Sequence, residues 1–410
     1  MSKCWGIRFC AAIGSVTGDL LVRDEQTLMK SIYLDYAATT PVDPRVAAAM
    51  SRCLTLDGIF GNPSSDQHSF GLEALGAVDE ARRHVAKLLN CGVGDVVFNS
   101  GATESDNAAL KGVAAATTGK TGHIITMASE HKAVLASCKN LQRLGWEVSY
   151  LRPQEDGSLA LGDLRAALRE DTALVSIMFV NNETGAIQDI AKIRDLLGSS
   201  SALLHVDAAQ AVGKIPVDLG DLGIDLTSVS AHKMYGPKGA GALIVGDRAR
   251  RRLSPQMDGG GQEFGLRSGT LATHQIVGFG EACRIAYDES PSDLRHVTAL
   301  RDRFLGHLHR EGTVVINGDL DRSYPGIVSV SYLDIDAVAL LHATPGIAAS
   351  TTSACTSGTP EPSHVLRAMG IEGDRLYGAV RFSFGRFTTP EDVDAAAERL
   401  LSELRRLREI

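Results

Sequence analysis

The chain has 410 residues, 44% of them hydrophobic, so it can bury a sizeable core, and its length points to two or three domains. Its formal net charge of -8, from 41 basic and 49 acidic residues, argues against direct binding of nucleic acid. No apolar run approaches the roughly 18 residues that a membrane-spanning helix needs, so the sequence reads as a soluble protein with no membrane partner.

Residues 1–28 read as an extension. A short apolar patch with Lys3 and Arg8 is followed by Asp19, Asp24 and Glu25, without signal-peptide or Arg-rich transit architecture. The extension is expected either to be poorly ordered or to precede a natural start at Met29, because organised sequence begins just beyond it, at YLDYAATTP. From there helical and strand patterns alternate. The strand runs are DVVFNS, HIITMA, WEVSYLR, ALVSIMFV, ALLHVDAA, LTSVSA and GALIVG. Helical stretches such as HKAVLASCKNLQRLG and LGDLRAALR fall between them, with apolar residues at three and four spacing. Such alternation predicts an α/β fold: a large domain over 42–285 with a mostly parallel sheet covered by helices on both faces. After about residue 285 come a long helix, VVIN, IVSVSYL, an irregular Gly/Ser/Thr stretch, VRFSFG and an amphipathic helix. That pattern predicts a smaller α+β domain made of 286–410 with 29–41.

Ligands of open α/β sheets gather beyond the carboxyl ends of the strands, so those ends carry the candidate chemistry. The first is Gly101-Ala102-Thr103-Glu104, a strand running through glycine into a helix; its free N–H groups suit a phosphate, and an ordinary capped helix start is the alternative. Next is Ser129-Glu130-His131, where a lone histidine is structural or catalytic. Asn181 and Asn182 follow, as paired amides that either orient a polar substrate or build a turn. Asp207 closes a hydrophobic strand, where a buried carboxylate needs a cationic partner: a protonated pyridine nitrogen or an arginine. Lys233, in SAHKMYGPKG, stands among small residues, a hydroxyl and an imidazole. Confinement beside another cation lowers an amine's pKa and makes it a Schiff-base nucleophile for a phosphorylated aldehyde; a surface lysine in a Gly/Pro turn is the alternative.

Two motifs are decoys. Gly119-Lys120-Thr121 lacks the first glycine of a P-loop, since Ala114 stands there, and Gly259-Gly260-Gly261 lacks dinucleotide spacing. The seven cysteines, Cys4, Cys10, Cys53, Cys91, Cys138, Cys283 and Cys355, form no CxxC pair, which fits neither a disulfide framework nor a zinc site and suits a reducing cytosol. Cys138 and Cys283 sit in helical apolar patterns, as small buried hydrophobes do. Cys355 lies instead in ASTTSACTSGTPEPS, a run without periodicity that is expected to form a long mobile loop.

Ten collinear segments carry a resemblance: YLDYAATTPVDPRV, FGNPSS, SGATESDN, SEHKAVL, VNNETG, HVDAAQ, SAHKMYGPKG, GGGQEFGLRSGT, SACTSGTPEPSHVLRAMG and RFSFGRFT. Together they resemble the cysteine desulfurases of the NifS/IscS type, class V aminotransferase relatives among the fold-type I pyridoxal-phosphate enzymes. The resemblance implies an aspartate aminotransferase-like large domain with a seven-stranded sheet, pyridoxal 5'-phosphate as cofactor and L-cysteine as substrate. It implies that Lys233 carries the cofactor, that Asp207 holds its ring nitrogen protonated, that Gln210 meets the ring hydroxyl and that His131 stacks on the ring and moves protons. Ala102, Thr103, Ser230 and His232 would bind the phosphate, with Thr270 reaching in from the partner of a homodimer that shares its active sites. Asn62, Asn182 and Arg381 would grip the substrate carboxylate.

The same resemblance gives Cys355 the distinctive step: its thiolate takes sulfur from cysteine, leaving a persulfide and alanine. The sulfur would pass to an acceptor protein for iron–sulfur cluster assembly or for thio-modification of tRNA or DNA, in the cytoplasm. No metal site is expected beyond a transient iron–sulfur role for Cys355. The chain stops at Ile410, without the tail that helps housekeeping members dock their scaffold protein, which leaves the acceptor open. The alternative is a selenocysteine lyase, or another pyridoxal-phosphate lyase or aminotransferase on the same fold.

Overall fold

A computed structural model describes residues 31–117, 121–309, 314–351 and 362–409. The extension 1–28 and Cys355 lie outside the described residues, as do Gly119 and Lys120 of the first decoy. Strand β1 (Ile32–Tyr33) opens the described chain, and seven strands then build the main sheet: β2 (Val96–Asn99), β3 (His123–Met127), β4 (Glu147–Leu151), β5 (Thr172–Met178), β6 (Leu203–Asp207), β7 (Leu226–Ser230) and β8 (Gly241–Val245). Their order is β2-β8-β7-β6-β5-β3-β4. All neighbours pair in parallel except β8, which runs antiparallel to both β2 and β7.

Hydrophobic runs form these strands because both faces of the sheet are covered. Alternate side chains feed two separate cores: Phe98, Ile125, Val175 and Leu204 on one face, and Val97, Ile124, Leu174 and Leu203 on the other. Strands β5 to β8 are buried at every position. At the edge, β4 buries only Leu151, which is why its sequence is the most polar.

The long helix expected after about residue 285 begins earlier, at Thr273, and runs to Leu308. Its stripe of Ile276, Phe279, Cys283 and Ala286 keeps three and four spacing well before 285 and is buried, so packing extends the helix backwards across the expected domain boundary. Pro291 lies inside it. Beyond this helix, β9 (Val314–Ile316), β10 (Ile327–Tyr332) and β12 (Ala379–Ser383) form an antiparallel sheet ordered β12-β10-β9. Strand β11 (Ile347–Ala348) pairs in parallel with β1. The N-terminal segment is tied further to this region by hydrogen bonds from Leu34 N to Ala348 O (2.8 Å) and from Ser383 N to Leu34 O (2.7 Å). A capping box of Thr389 and Asp392 starts the last helix, Pro390–Arg408. Among the described residues, no helix is long and apolar enough to cross a membrane.

Candidate active site

The carboxyl ends of β3, β5, β6 and β7 open toward one cavity of about 560 Å³, lined in part by Ala102, Thr103, His131, Asn182, Asp207, Gln210, Ser230, His232, Lys233 and Arg381. Ten residues singled out along 280 positions of sequence thus meet in one space: nine stand at or just beyond strand ends that share one edge of the main sheet, and Arg381 reaches in from β12 of the smaller sheet.

One wall is the start of the helix Ala102–Ala116. Its N-cap is Gly101 at φ 136, and no side chain caps the helix. Backbone crowding demands glycine at the neighbouring strand: a Cβ at Gly241 would lie 2.5 Å from Gly101 Cα. The uncapped amides leave a concentration of positive partial charge facing the cavity, which suits a phosphate. The loop behind is held by Glu104, which accepts from Ser100 N (2.9 Å) and pairs with Arg267 (2.9 Å).

Asp207 ends β6 and is buried; its Oδ1 accepts the Ala209 N–H at 2.9 Å. Burial pushes its carboxyl upward, opposed by that N–H and by the nearby His131 and Lys233. Among the described residues no arginine or lysine forms a salt bridge with it, so the bland reading, an arginine partner, does not hold. A protonated pyridine nitrogen is the kind of cation this carboxylate lacks.

Lys233 follows β7 in a short 3-10 turn, Ala231–Lys233. Its Nζ donates to the carbonyls of Ala37 and Ala38, both at 2.7 Å. Burial, reinforced by Arg381 and opposed by Asp207 and Asp35, lowers its pKa to about 8. An appreciable share of this amine is therefore uncharged near neutrality and able to attack an aldehyde. Beside it, His232 is pushed down to about 4 by burial and by the lysines around it, so it is neutral, with Nδ1 3.1 Å from Thr39 Oγ1.

His131 caps the helix Lys132–Arg143 through Nδ1, which accepts the Ala133 N–H at 3.2 Å. A neutral ring with Nδ1 accepting carries its proton on Nε2. The ring is accessible because it faces the open cavity, and the protein walls around it still hold its pKa below the ordinary value. The paired amides divide their labour. Asn181 builds the turn, accepting from Glu183 N (2.9 Å) and Thr184 N (3.0 Å), whereas Asn182 lines the cavity.

Arg381, on β12, donates from Nη1 to Asn182 O (2.9 Å) and from Nη2 to Asp35 Oδ1 (2.6 Å). Its Nε is buried without a partner. Sequence reasoning missed Asp35 as the residue that holds this arginine, although its segment had been singled out; the two are 346 positions apart. Asn62 and Thr270 are exposed and lie outside the cavity lining in the single chain. Cys138 and Cys283 are buried as expected, and burial pushes the Cys138 thiol up to about 12. They are core packing rather than nucleophiles.

A partly uncharged amine set between an uncapped helix start and an unpaired buried carboxylate is what a phosphorylated pyridine aldehyde requires, and with this strand order it defines a fold-type I pyridoxal-phosphate enzyme. Comparison with known proteins narrows the class. The Aminotransferase class-V model matches residues 32–396, and the chain belongs to that family. It is 54% identical to the cysteine desulfurase IscS of Aeromonas salmonicida over 379 residues, covering 92% of this chain and 94% of that one. A solved NifS-like protein superimposes with a TM-score of 0.86 at 37% identity, over 92% of this chain and 99% of its own. DndA from Streptomyces lividans matches at 41% identity and a TM-score of 0.73, over 86% of this chain and 99% of its own.

Proposed function

We propose that this protein is a cysteine desulfurase, which moves sulfur from L-cysteine to Cys355 and releases L-alanine. The observation that carries the reading is the Lys233 amine, at a pKa of about 8, in a cavity shared with Asp207, His131 and Arg381. Pyridoxal phosphate, when bound, supplies an electron sink that stabilises negative charge at the amino acid's α-carbon. Lys233 would hold it covalently and later move the Cα proton. Asp207 would keep its ring nitrogen protonated, Gln210 would meet its ring hydroxyl, and the His131 ring would stack against it and serve as a proton carrier. Ala102, Thr103, Ser230 and His232 would hold its phosphate. Asn182 and Arg381, with Asn62, would orient the substrate carboxylate.

The sulfur step balances within the two thiols. The Cys355 thiolate attacks the substrate sulfur, an S–S bond forms as the C–S bond breaks, and the substrate β-carbon takes a proton. Cysteine sulfur is oxidised to the persulfide level while the carbon is reduced to the methyl of alanine. Cys355 lies outside the described residues, and its role rests on the sequence segment that carries it.

We assign the working unit as a homodimer. Exposed apolar side chains gather on residues 54–75, including Leu56 at 80% and Phe70 at 50%. Phe264, which stacks against Arg82 of the helix Ser69–Leu89, is 58% exposed. A patch of this kind needs a cover, and a second copy would bury it with Asn62 and Thr270 beside a shared site. The smaller domain is assigned to 29–41 with 286–410, the larger to 42–285. The acceptor is a sulfur-carrying protein of iron–sulfur assembly or of thio-modification, reached in the cytoplasm.

Mass spectrometry after exposure to L-cysteine tests the reading. One extra sulfur atom is expected on the peptide containing Cys355, together with alanine in solution. Alanine release undiminished in Cys355→Ala would transfer the protein to another reaction of the same fold.

A further inference from the structure

Behind Gln210 stands a lysine that the proposed reaction does not use. Gln210 Nε2 donates to the Ala37 carbonyl at 2.8 Å, and Lys214 Nζ donates to Gln210 Oε1. These two contacts fix which way the amide faces. The Ala37 carbonyl can only accept, so the amide nitrogen must lie toward it; the Lys214 amine donates whether or not it is charged, so the amide oxygen lies toward that side. One Nε2 hydrogen is taken by Ala37. The other has no partner among the described residues, and Gln210 lines the cavity.

Lys214 has few other claims on it. Its ammonium lies 5.6 Å from the centroid of the Tyr324 ring, beside a small void that Tyr36, Tyr235 and Asp293 also line. Asp293 is committed to Arg386 (2.7 Å). Burial, reinforced by its charged neighbours toward the cavity, Lys233 and Arg381, pushes the Lys214 amine well below the ordinary lysine range. A half-buried lysine without a carboxylate partner is costly, and among the described residues the one polar group Lys214 serves is the Gln210 amide.

We infer that Lys214 is a positioning residue that locks the Gln210 amide with its free N–H toward the cofactor ring. Gln210 therefore donates to the ring hydroxyl oxygen rather than accepting from it, which favours that oxygen as an anion. The inference rests on the proposed contact between Gln210 and the ring hydroxyl, and it goes beyond that contact in assigning its direction and its cause.

The test is a pH titration of the bound cofactor's absorbance in the dimeric holoenzyme without substrate, using Lys214→Met, Gln210→Leu and the double variant. Gln210→Leu is expected to raise the midpoint by about one pH unit, the size of one lost hydrogen bond to a charged oxygen. Lys214→Met should raise it in the same direction by about half a unit or more. The double variant should shift no further than Gln210→Leu alone, because a residue acting through another is silent once that other is gone. Full addition of the two shifts, or no shift in Lys214→Met while Gln210→Leu moves, overturns the inference. No shift in Gln210→Leu overturns the ring contact itself, and the inference with it. If Lys214→Met does not fold, Lys214→Leu, which also removes the donor, carries the same comparison.

Discussion

Two concave regions of the molecule invite the same question, and their chemistry separates them. The larger is an open groove of about 820 Å³ lined by Lys87, Asn90, Cys91, Asp218 and Tyr287 among others. The smaller is the cavity of about 560 Å³ around Lys233. In the groove the polar groups have settled with one another: Asn90 donates to Asp218 at 2.8 Å, and the Lys87 ammonium rests 4.1 Å from the centroid of Tyr287. In the cavity they have not. Among the described residues Asp207 has no salt-bridge partner, no side chain caps the helix start, Arg381 Nε has no acceptor, and Lys233 is held near pH 8. Volume alone would point to the groove; unmet polar demand, together with an amine displaced toward neutrality, points to the cavity.

The widest gap between the two regions is expected on removing their lysines. Lys233→Ala should lower desulfuration by about a thousandfold or more and abolish the borohydride-trapped link to the cofactor, read by mass spectrometry of the labelled peptide. Retention of that link on another residue would leave the cavity with no special claim over the groove. A smaller effect comes from pH. Because the Lys233 amine loses its proton near pH 8, its reactive share grows as pH rises, and capture of pyridoxal phosphate by the cofactor-free protein should quicken about tenfold from about pH 7 to about pH 9, then level. Stopped-flow absorbance checks this, and a rate that is flat or falling over that range contradicts it. The smallest effect belongs to the groove. Lys87→Ala should leave turnover within about twofold and stability within about 1 kcal/mol, since it removes only an exposed cation–aromatic contact.

Much of the site was legible because it sits where regular structure ends. Lys233, Asp207 and His131 each follow a hydrophobic run, and such runs declare themselves by local periodicity. The helix Thr273–Leu308 was misplaced at its start for the opposite reason: residues near 285 show a change of composition, but the stripe that extends the helix backwards answers to a neighbouring helix. Between Asn181 and Asn182 only the family resemblance expressed a preference, for Asn182; by residue type and spacing one turn residue and one cavity residue look alike until the hydrogen bonds are drawn.

Sequence by itself determined the order of strands and helices along the chain and the family, and it put forward the lysine, aspartate, histidine and cysteine that the proposed reaction uses. These depend on residue type and on spacing along the chain. Tertiary structure alone decided which groups became partners through space: Arg381 with Asp35, Gln210 with the Ala37 carbonyl, and Lys233 with the burial and the cation that lower its pKa. The physical reason is that hydrogen bonds and Coulomb forces act over a few ångströms regardless of the number of residues between, so the chemistry of a residue is set only when the fold brings distant segments together.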